Sequence, residues 1–472
     1  MRPLPCVLAA IVVACAVAKP VAQAQVFNPE TFTLKNGLQV VVIPNHRMPV
    51  VSHMVYYKVG SADEVAGKTG LAHMLEHMMF KGTKAVPAGA FSAEVERNGG
   101  RENAFTTADY TAFYQNVAAD KLALVMRLEA DRMANLALSD KEFQPERQVV
   151  LEERRMRTDN EPSSLLDEQL QASLFLNAPY HHPVIGWRQE IEGYTIDDLK
   201  AFYHRWYAPN NAVLVVSGDV SVATVKPLAE KYYGAIPAHP VPSRERGEEP
   251  PPIAARTVEM RDAEVHQPTW QRLYLAPSYH AGETTHAYAL QILSEILGGG
   301  ATSRLYKDLV VDQAVAASVG IGYEPDSLGP TSFAIDATPR PGVSMETLQK
   351  ALTAEIANVA AHGATAEEVA DAKQRMQTAV IYARDSYNTG ARVIGSSLAS
   401  GSTIADEEAW PSRIAAVTPE QVGAAAALVL RDERSVTGLL LPVSESGPST
   451  TGAVAAEPGQ RLAPGMSGRE IR

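Results

Sequence analysis

Cysteine is nearly absent from this chain. Its 472 residues include two, Cys6 and Cys15, both within the first fifteen positions. Everything beyond Cys15 is therefore without disulfides, thiol nucleophiles and thiolate metal ligands. Basic charge is also short. Forty-two Lys and Arg against 54 Asp and Glu give a formal net charge of −12. With no basic stripe, that balance excludes nucleic-acid binding, and it reads first as a solvated acidic surface. Past the first residues, no apolar run is long enough to span a membrane. No Gly-rich loop leads into a Lys-Ser/Thr pair, so an ATP-driven membrane protease is excluded. What remains is a globular composition, 46% hydrophobic and 20% charged. The length calls for two or more domains.

The first residues read as an export signal. Arg2 supplies the positive start, Leu4 to Val17 is apolar but too short to cross a bilayer, and Ala22-Gln23-Ala24 is an A-x-A-like cleavage site. The expected signal is residues 1–24, and its removal takes both cysteines and shifts the formal charge from −12 to −14 by deleting Arg2 and Lys19. A competing reading is a lipobox at Val12-Val13-Ala14-Cys15, which would anchor the protein through a lipid on Cys15. Either reading places the protein outside the cytoplasm, in the periplasm.

The chemistry concentrates in Gly70-Leu71-Ala72-His73-Met74-Leu75-Glu76-His77. On a helix His73 and His77 leave one face a turn apart, a spacing that suits two ligands on one small metal ion. Glu76 lies on the same side and can reach a water at that ion without binding the metal. A hydrolytic zinc site needs a third protein ligand and an open position. Glu146-Arg147-Gln148-Val149-Val150-Leu151-Glu152-Glu153 offers one. The stretch from Ser139 to about Met156 reads as a helix that Ser139 or Asp140 can cap, with Glu142 placed as in a capping box. Glu146 and Glu153, two turns apart, share a face. Spacing alone does not choose between Glu152 and Glu153 as the ligand.

These residues resemble the inverzincin peptidases: pitrilysin, insulysin and, nearest in size, the mitochondrial processing peptidase with its bacterial relatives. Further matches are Asn103-Ala104-Phe105-Thr106-Thr107-Ala108-Asp109-Tyr110-Thr111, His182-Pro183-Val184-Ile185-Gly186-Trp187 and Trp206-Tyr207-Ala208-Pro209-Asn210-Asn211-Ala212. The resemblance implies an α+β fold of two homologous domains, each a mainly antiparallel sheet packed against helices, the LuxS-like metallopeptidase fold. It implies one Zn2+ per chain, held by His73, His77 and Glu153, with Glu76 as general base and Glu146 supporting the ligands. Manganese or cobalt suits the same ligand types. Asn103, Ala104 and Phe105 fall on the family's substrate-binding edge strand, where an extended peptide pairs through main-chain hydrogen bonds.

Strands are expected at 32–34, 38–43, 50–57 and 213–218, with one or two between 104 and 116, and helices at 71–81 and 119–136. A catalytic domain then covers 26–237. Residues 238–252 are charged, Pro-rich and without periodicity, and read as an interdomain linker. The pattern recurs more weakly over 253–442, with a strand at 271–276 and helices at 288–297, 347–361 and 366–384, as in an internal duplication. Aligned under the first half, Gln291, Ser294 and Glu295 stand where His73, Glu76 and His77 stand, so the second domain lacks the ligands. Residues 443–472 read as a disordered tail. Tyr180-His181-His182 reads as a loop, and His53, His266, His280 and His286 as structural or exposed.

One departure from the family pattern matters. Active members use an Arg and a Tyr seven residues apart, after a Ser-Arg-Leu-aromatic motif, to hold substrate near the cleaved bond. The motif is present as Ser303-Arg304-Leu305-Tyr306, but the two positions fall on Val310 and Ala317. The expectation is a zinc endopeptidase acting on peptides or unfolded polypeptides, working with a homologous partner subunit that supplies the Arg and Tyr. The alternative is a non-catalytic scaffold subunit like those of respiratory complexes, against which stands the retention of all three ligands, Glu76 and Glu146.

Overall fold

The structure is a computed structural model that describes residues 26–443. The expected export signal, both cysteines and nearly all of the expected tail lie outside the described residues.

The first half contains β1 (Glu30–Thr33), β2 (Gln39–Pro44), β3 (Val50–Tyr57), α1 (Leu71–Met79), α2 (Ala90–Arg97), β4 (Arg101–Thr106), β5 (Thr111–Ala118) and α3 (Leu122–Asn135). Then come α4 (Asp140–Arg154), α5 (Pro162–Leu174), α6 (Arg188–Gly193), α7 (Ile196–Trp206), β6 (Ala212–Gly218) and α8 (Val222–Tyr232). The second half contains β7 (Arg256–Asp262), β8 (Thr269–Ala276), α9 (Ala287–Gly298), β9 (Ala316–Tyr323), β10 (Thr331–Pro339), α10 (Met345–His362) and α11 (Ala366–Ala383). It ends with α12 (Thr389–Ala399), α13 (Ile404–Ala416), α14 (Pro419–Val429) and β11 (Ser435–Pro442).

The two sheets repeat strand for strand. The first runs β1-β2-β6-β3-β5-β4 and the second β7-β11-β8-β10-β9. In each, one pair is parallel, β2 with β6 and β11 with β7, and the pairs leading out to β4 or β9 are antiparallel. Only β1 has no counterpart. It joins β2 through the turn at Lys35-Asn36-Gly37, where Gly37 has φ +86° and an added Cβ would stand 2.8 Å from Asn210 Cβ. Ser139 caps α4 by accepting from the Glu142 amide at 3.4 Å. Val150 is buried between the two glutamate turns of α4, whereas Val149 is half exposed, because the inward stripe of that helix is narrow.

Each half lends a helix to the other's sheet. Helix α12 lies on the face of the first sheet away from α1, where Ala391, Ile394 and Leu398 join Val41, Met54, Tyr56 and Val215 in one buried cluster. Helix α5 lies on β11 of the second sheet, where Leu166, Leu170 and Leu174 meet Leu273, Val436 and Leu440. Both contacts are close because a glycine faces a large side chain. A Cβ on Gly395 would stand 2.1 Å from the Tyr56 ring, and one on Gly438 would stand 2.7 Å from Leu170 Cδ1.

Residues 238–252 form neither helix nor strand, yet they are pinned. Arg246 is buried and ion-paired with Asp63 at 2.7 Å and Asp109 at 2.8 Å. Asp109, in the β4–β5 turn, also accepts from the Tyr180 hydroxyl at 3.0 Å and from the Leu328 amide of the second domain at 3.0 Å. One carboxylate thus ties both domains and the connecting segment together.

The swapped helices predict a specific cost. Gly395→Ala drives a methyl into a buried ring, and overpacking of this kind costs about 1–3 kcal/mol. The expected result in a thermal melt is a drop of several degrees; a midpoint within one degree of the parent would contradict the packing described.

Candidate metal centre

Helix α1 begins at a close backbone crossing. Gly70 has φ +90°, and a Cβ there would lie 2.5 Å from the Ile185 carbonyl oxygen. Glu64 closes the helix start by accepting from the Gly70 amide at 2.8 Å and the Ala72 amide at 2.7 Å, a carboxylate at the positive end of the helix dipole. Burial pushes the Glu64 carboxyl well above its usual range even against those two donors.

Packing of α1 against α4 brings the sequence-selected residues together. His73, His77 and Glu153 each offer a ligand atom, and these atoms all lie within 4.8 Å of one another. His77 Nε2 is 3.2 Å from Glu153 Oε2, and His73 Nε2 is 3.8 Å from Glu153 Oε1. Two ligands each about 2 Å from a tetrahedral ion stand roughly 3.3 Å apart, so the spacing fits a zinc-sized ion. Two of these atoms, buried His77 Nε2 and Glu153 Oε1, have no aligned hydrogen bond. Glu152, the alternative left open by spacing, points outward and pairs with Arg155 at 2.5 Å.

Glu146 accepts from His77 Nδ1 at 2.9 Å. That bond directs the other ring nitrogen at Glu153 and fixes the ring's orientation. Lys81, one turn beyond His77, pairs with the second Glu146 oxygen. Burial alone would raise Glu146, but the His77 and Lys81 donors outweigh it and hold the carboxyl below its ordinary value. Glu153 is likewise held down, against burial, by His77, His73 and Arg157. Arg157 sits in a π-helical turn that follows α4, 2.7 Å from Glu153 Oε1.

Glu76 is 2% exposed. Burial pushes its carboxyl up to about 7, moderated by a hydrogen bond from Thr106 and by the His77 charge. A carboxylate poised there is suited to taking and returning a proton near neutral pH. Burial and the neighbouring His77 push His73 down to about 3, so its imidazole is neutral and its lone pair available.

Asn103, Ala104 and Phe105 lie on β4, which among the described residues pairs only with β5 and stands at an edge of the sheet. The Asn103 Oδ1 atom accepts from the Ala104 amide at 2.8 Å, the Ala104 side chain is buried and the Phe105 ring packs on Tyr110. Val310 is buried in a π-helical turn (Tyr306–Asp312), and Ala317 is exposed near the start of β9. Arg304 gives no substitute, because its guanidinium is committed to Glu368 and the Gly363 carbonyl. In the second domain Glu295 on α9 pairs with Arg375 on α11 at 2.6 Å, and Gln291 bonds Tyr279 and Trp410. At the positions aligned with His73 and His77 there are thus side-chain hydrogen bonds and an ion pair. His181 and His182 lie in a short turn, and His53 is fully buried between Gln115 and Tyr233.

Lys81 and Arg157, missed in the sequence, stand four residues after His77 and Glu153, so helical i,i+4 spacing signals both. Glu64 and Thr106 reach α1 through tertiary packing and leave no local signal.

In the metal-free protein burial disfavours the His77 charge, but Glu146 and Glu153 outweigh it and lift the imidazole to about 9. A raised folded value means this contribution is fully present below about pH 6.5 and lost as pH rises through about 9. It amounts to about 3 kcal/mol. The melting temperature of chelator-treated protein is expected to fall between pH 7 and 9.5, and His77→Gln to flatten that slope; a flat parent profile would contradict the arrangement.

Two family models match the chain: the insulinase model, peptidase family M16, over residues 39–187, and the peptidase M16 inactive domain over residues 193–376. A protein named zinc protease PqqE from Helicobacter pylori is 38% identical over 340 residues, covering 71% of this chain and 75% of the relative. A crystal structure of a protease from Helicobacter pylori superposes with a TM-score of 0.81 at 32% identity, covering 88% of this chain and 99% of that one. The periplasmic protease PqqL from Escherichia coli shares the fold at 20% identity, with a TM-score of 0.75, over 93% of this chain and 52% of its own. The α+β fold of two related domains, the helix-borne histidines and these likenesses agree: the chain belongs to the insulinase family of peptidases, family M16.

Proposed function

We propose that the chain is the metal-bearing subunit of an exported zinc endopeptidase. The observation that carries the reading is the convergence of His73, His77 and Glu153 ligand atoms within 4.8 Å, with the buried Glu76 on the same helix. Zinc held there would polarise a peptide carbonyl and lower the pKa of a bound water toward neutrality. Glu76 takes the proton from the attacking water and delivers it to the departing amine. Glu146 keeps the His77 ring turned toward the site, and Lys81 holds Glu146. The open edge of β4 binds an extended peptide through its main chain, with Asn103, Ala104 and Phe105 as the docking segment.

The export signal read over residues 1–24 supports a location outside the cytoplasm, and the likeness to the periplasmic protease PqqL is in keeping with it. Among the described residues no helix is long and apolar enough to cross a membrane. The family's Arg and Tyr positions fall on Val310 and Ala317, which carry neither a cation nor a phenol. A homologous partner supplying an Arg and a Tyr would complete the site. The scaffold reading has less support, since a scaffold has no use for a buried base beside three convergent ligands.

Metal analysis of the purified protein is expected to give about one zinc per chain, lost in His73→Ala. Glu76→Gln is expected to keep the zinc and lose about 10²–10⁴-fold in cleavage of a quenched fluorescent peptide; a Glu76→Gln protein that cuts at the parent rate would refute the assigned base. Cleavage by the chain alone is expected to be weak and to rise on adding a homologue that carries the Arg and Tyr but no His-x-x-Glu-His. Full turnover without that homologue would remove the heterodimer.

A further inference from the structure

Thr106 is the last residue of β4, the strand at the open edge of the first sheet. Its hydroxyl donates to Glu76 Oε2 at 2.5 Å, a short bond of the kind a charged acceptor makes. The neighbouring hydroxyl, Thr111, stands opposite it in the hairpin at 3.5 Å. Thr111 is fully buried and spends its own hydrogen on the Val59 carbonyl at 3.0 Å, so toward Thr106 it can only accept. A hydroxyl has one hydrogen, and here the nearer, charged acceptor is Glu76. The direction of the bond is set from behind by the hairpin.

We propose that Thr106 is a positioning residue for the reaction: it holds Glu76 Oε2, leaving Oε1 as the atom that takes and returns the proton, and it fastens that carboxylate to the strand on which the peptide docks. The proposal rests on Glu76 being the base. A glutamate reaches its carboxylate through three rotatable bonds, and the orientation of a proton acceptor matters steeply; displacement of a reacting group by about 1 Å can cost about 100-fold in rate. The Thr106 bond removes much of that freedom. Because Thr106 belongs to β4, a peptide pairing along that edge steadies the same backbone that sets the base, so docking and proton transfer share one hydrogen bond.

The test compares Thr106→Val, Thr106→Ser and Glu76→Gln in the full zinc-loaded chain, with the homologous partner added where turnover requires it. Valine keeps the branched shape and strand preference and removes the donor. The expected result is a loss of about 10- to 100-fold in kcat for Thr106→Val, with KM changed less than about threefold, zinc content unchanged, and recovery in Thr106→Ser. Thr106→Ala replaces the valine variant if that does not fold. A second readout needs no turnover: in metal-free protein, the melting shifts of Thr106→Val, Glu76→Ala and the double variant are expected to be non-additive by about 2–4 °C, as for groups that share one bond. Full kcat in Thr106→Val beside an inactive Glu76→Gln, or additive melting shifts, overturns the Thr106 assignment and leaves the base intact. A fully active Glu76→Gln overturns the base itself.

Discussion

His77 stands between two carboxylates that one neighbouring helix presents two turns apart, and most of the structure serves that contact. Glu146 takes Nδ1 and Glu153 faces Nε2. A pair of glutamates seven residues apart can bracket one imidazole in this way only if α1 and α4 stay in register. The Gly70 crossing and the Glu64 bonds fix where α1 starts, and Val150 buries α4 between its two glutamates. Without a cation the bracket holds an imidazolium. A metal held there would displace the proton at that nitrogen, which would link metal affinity to pH through a single ring.

The rest of the fold supplies rigidity and an edge. Reciprocal packing of α5 and α12 makes each domain's outer sheet face depend on the other half of the chain. Asp109 joins the β4–β5 turn to Arg246 and to the second domain's Leu328. The turn so anchored separates β4, the proposed docking edge, from β5, and Thr106 connects that edge to Glu76. Duplication explains the asymmetry of the two domains. The second keeps the helix pair and the strand order but has Glu295 and Arg375 neutralising each other across the corresponding seam, a stable solution that needs no metal.

Much of this was legible in the sequence, for stated reasons. Helical periodicity put His73, Glu76 and His77 on one face, and the seven-residue interval put Glu146 and Glu153 on another; both depend only on local geometry. The strand order, the helix exchange and the pinned linker were not legible. Residues 238–252 have the composition of a loose spacer, and what holds them is Arg246 meeting carboxylates 137 and 183 positions away. Spacing also left Glu152 and Glu153 equivalent. The resemblance to known peptidases favoured Glu153, and in the structure Glu152 turns to Arg155 at the surface. Thr106 reaches Glu76 only because the hairpin folds back over α1, a tertiary contact with no periodic trace.

The claim at the centre is that one half of a duplicated scaffold holds a metal and the other does not. Anomalous diffraction at the zinc edge from crystals of the zinc-loaded protein addresses it directly. One strong peak per chain is expected, within bonding distance of His73, His77 and Glu153, and none beside Gln291 and Glu295. Absence of a peak at the three residues, or an equal peak in the second domain, would contradict it.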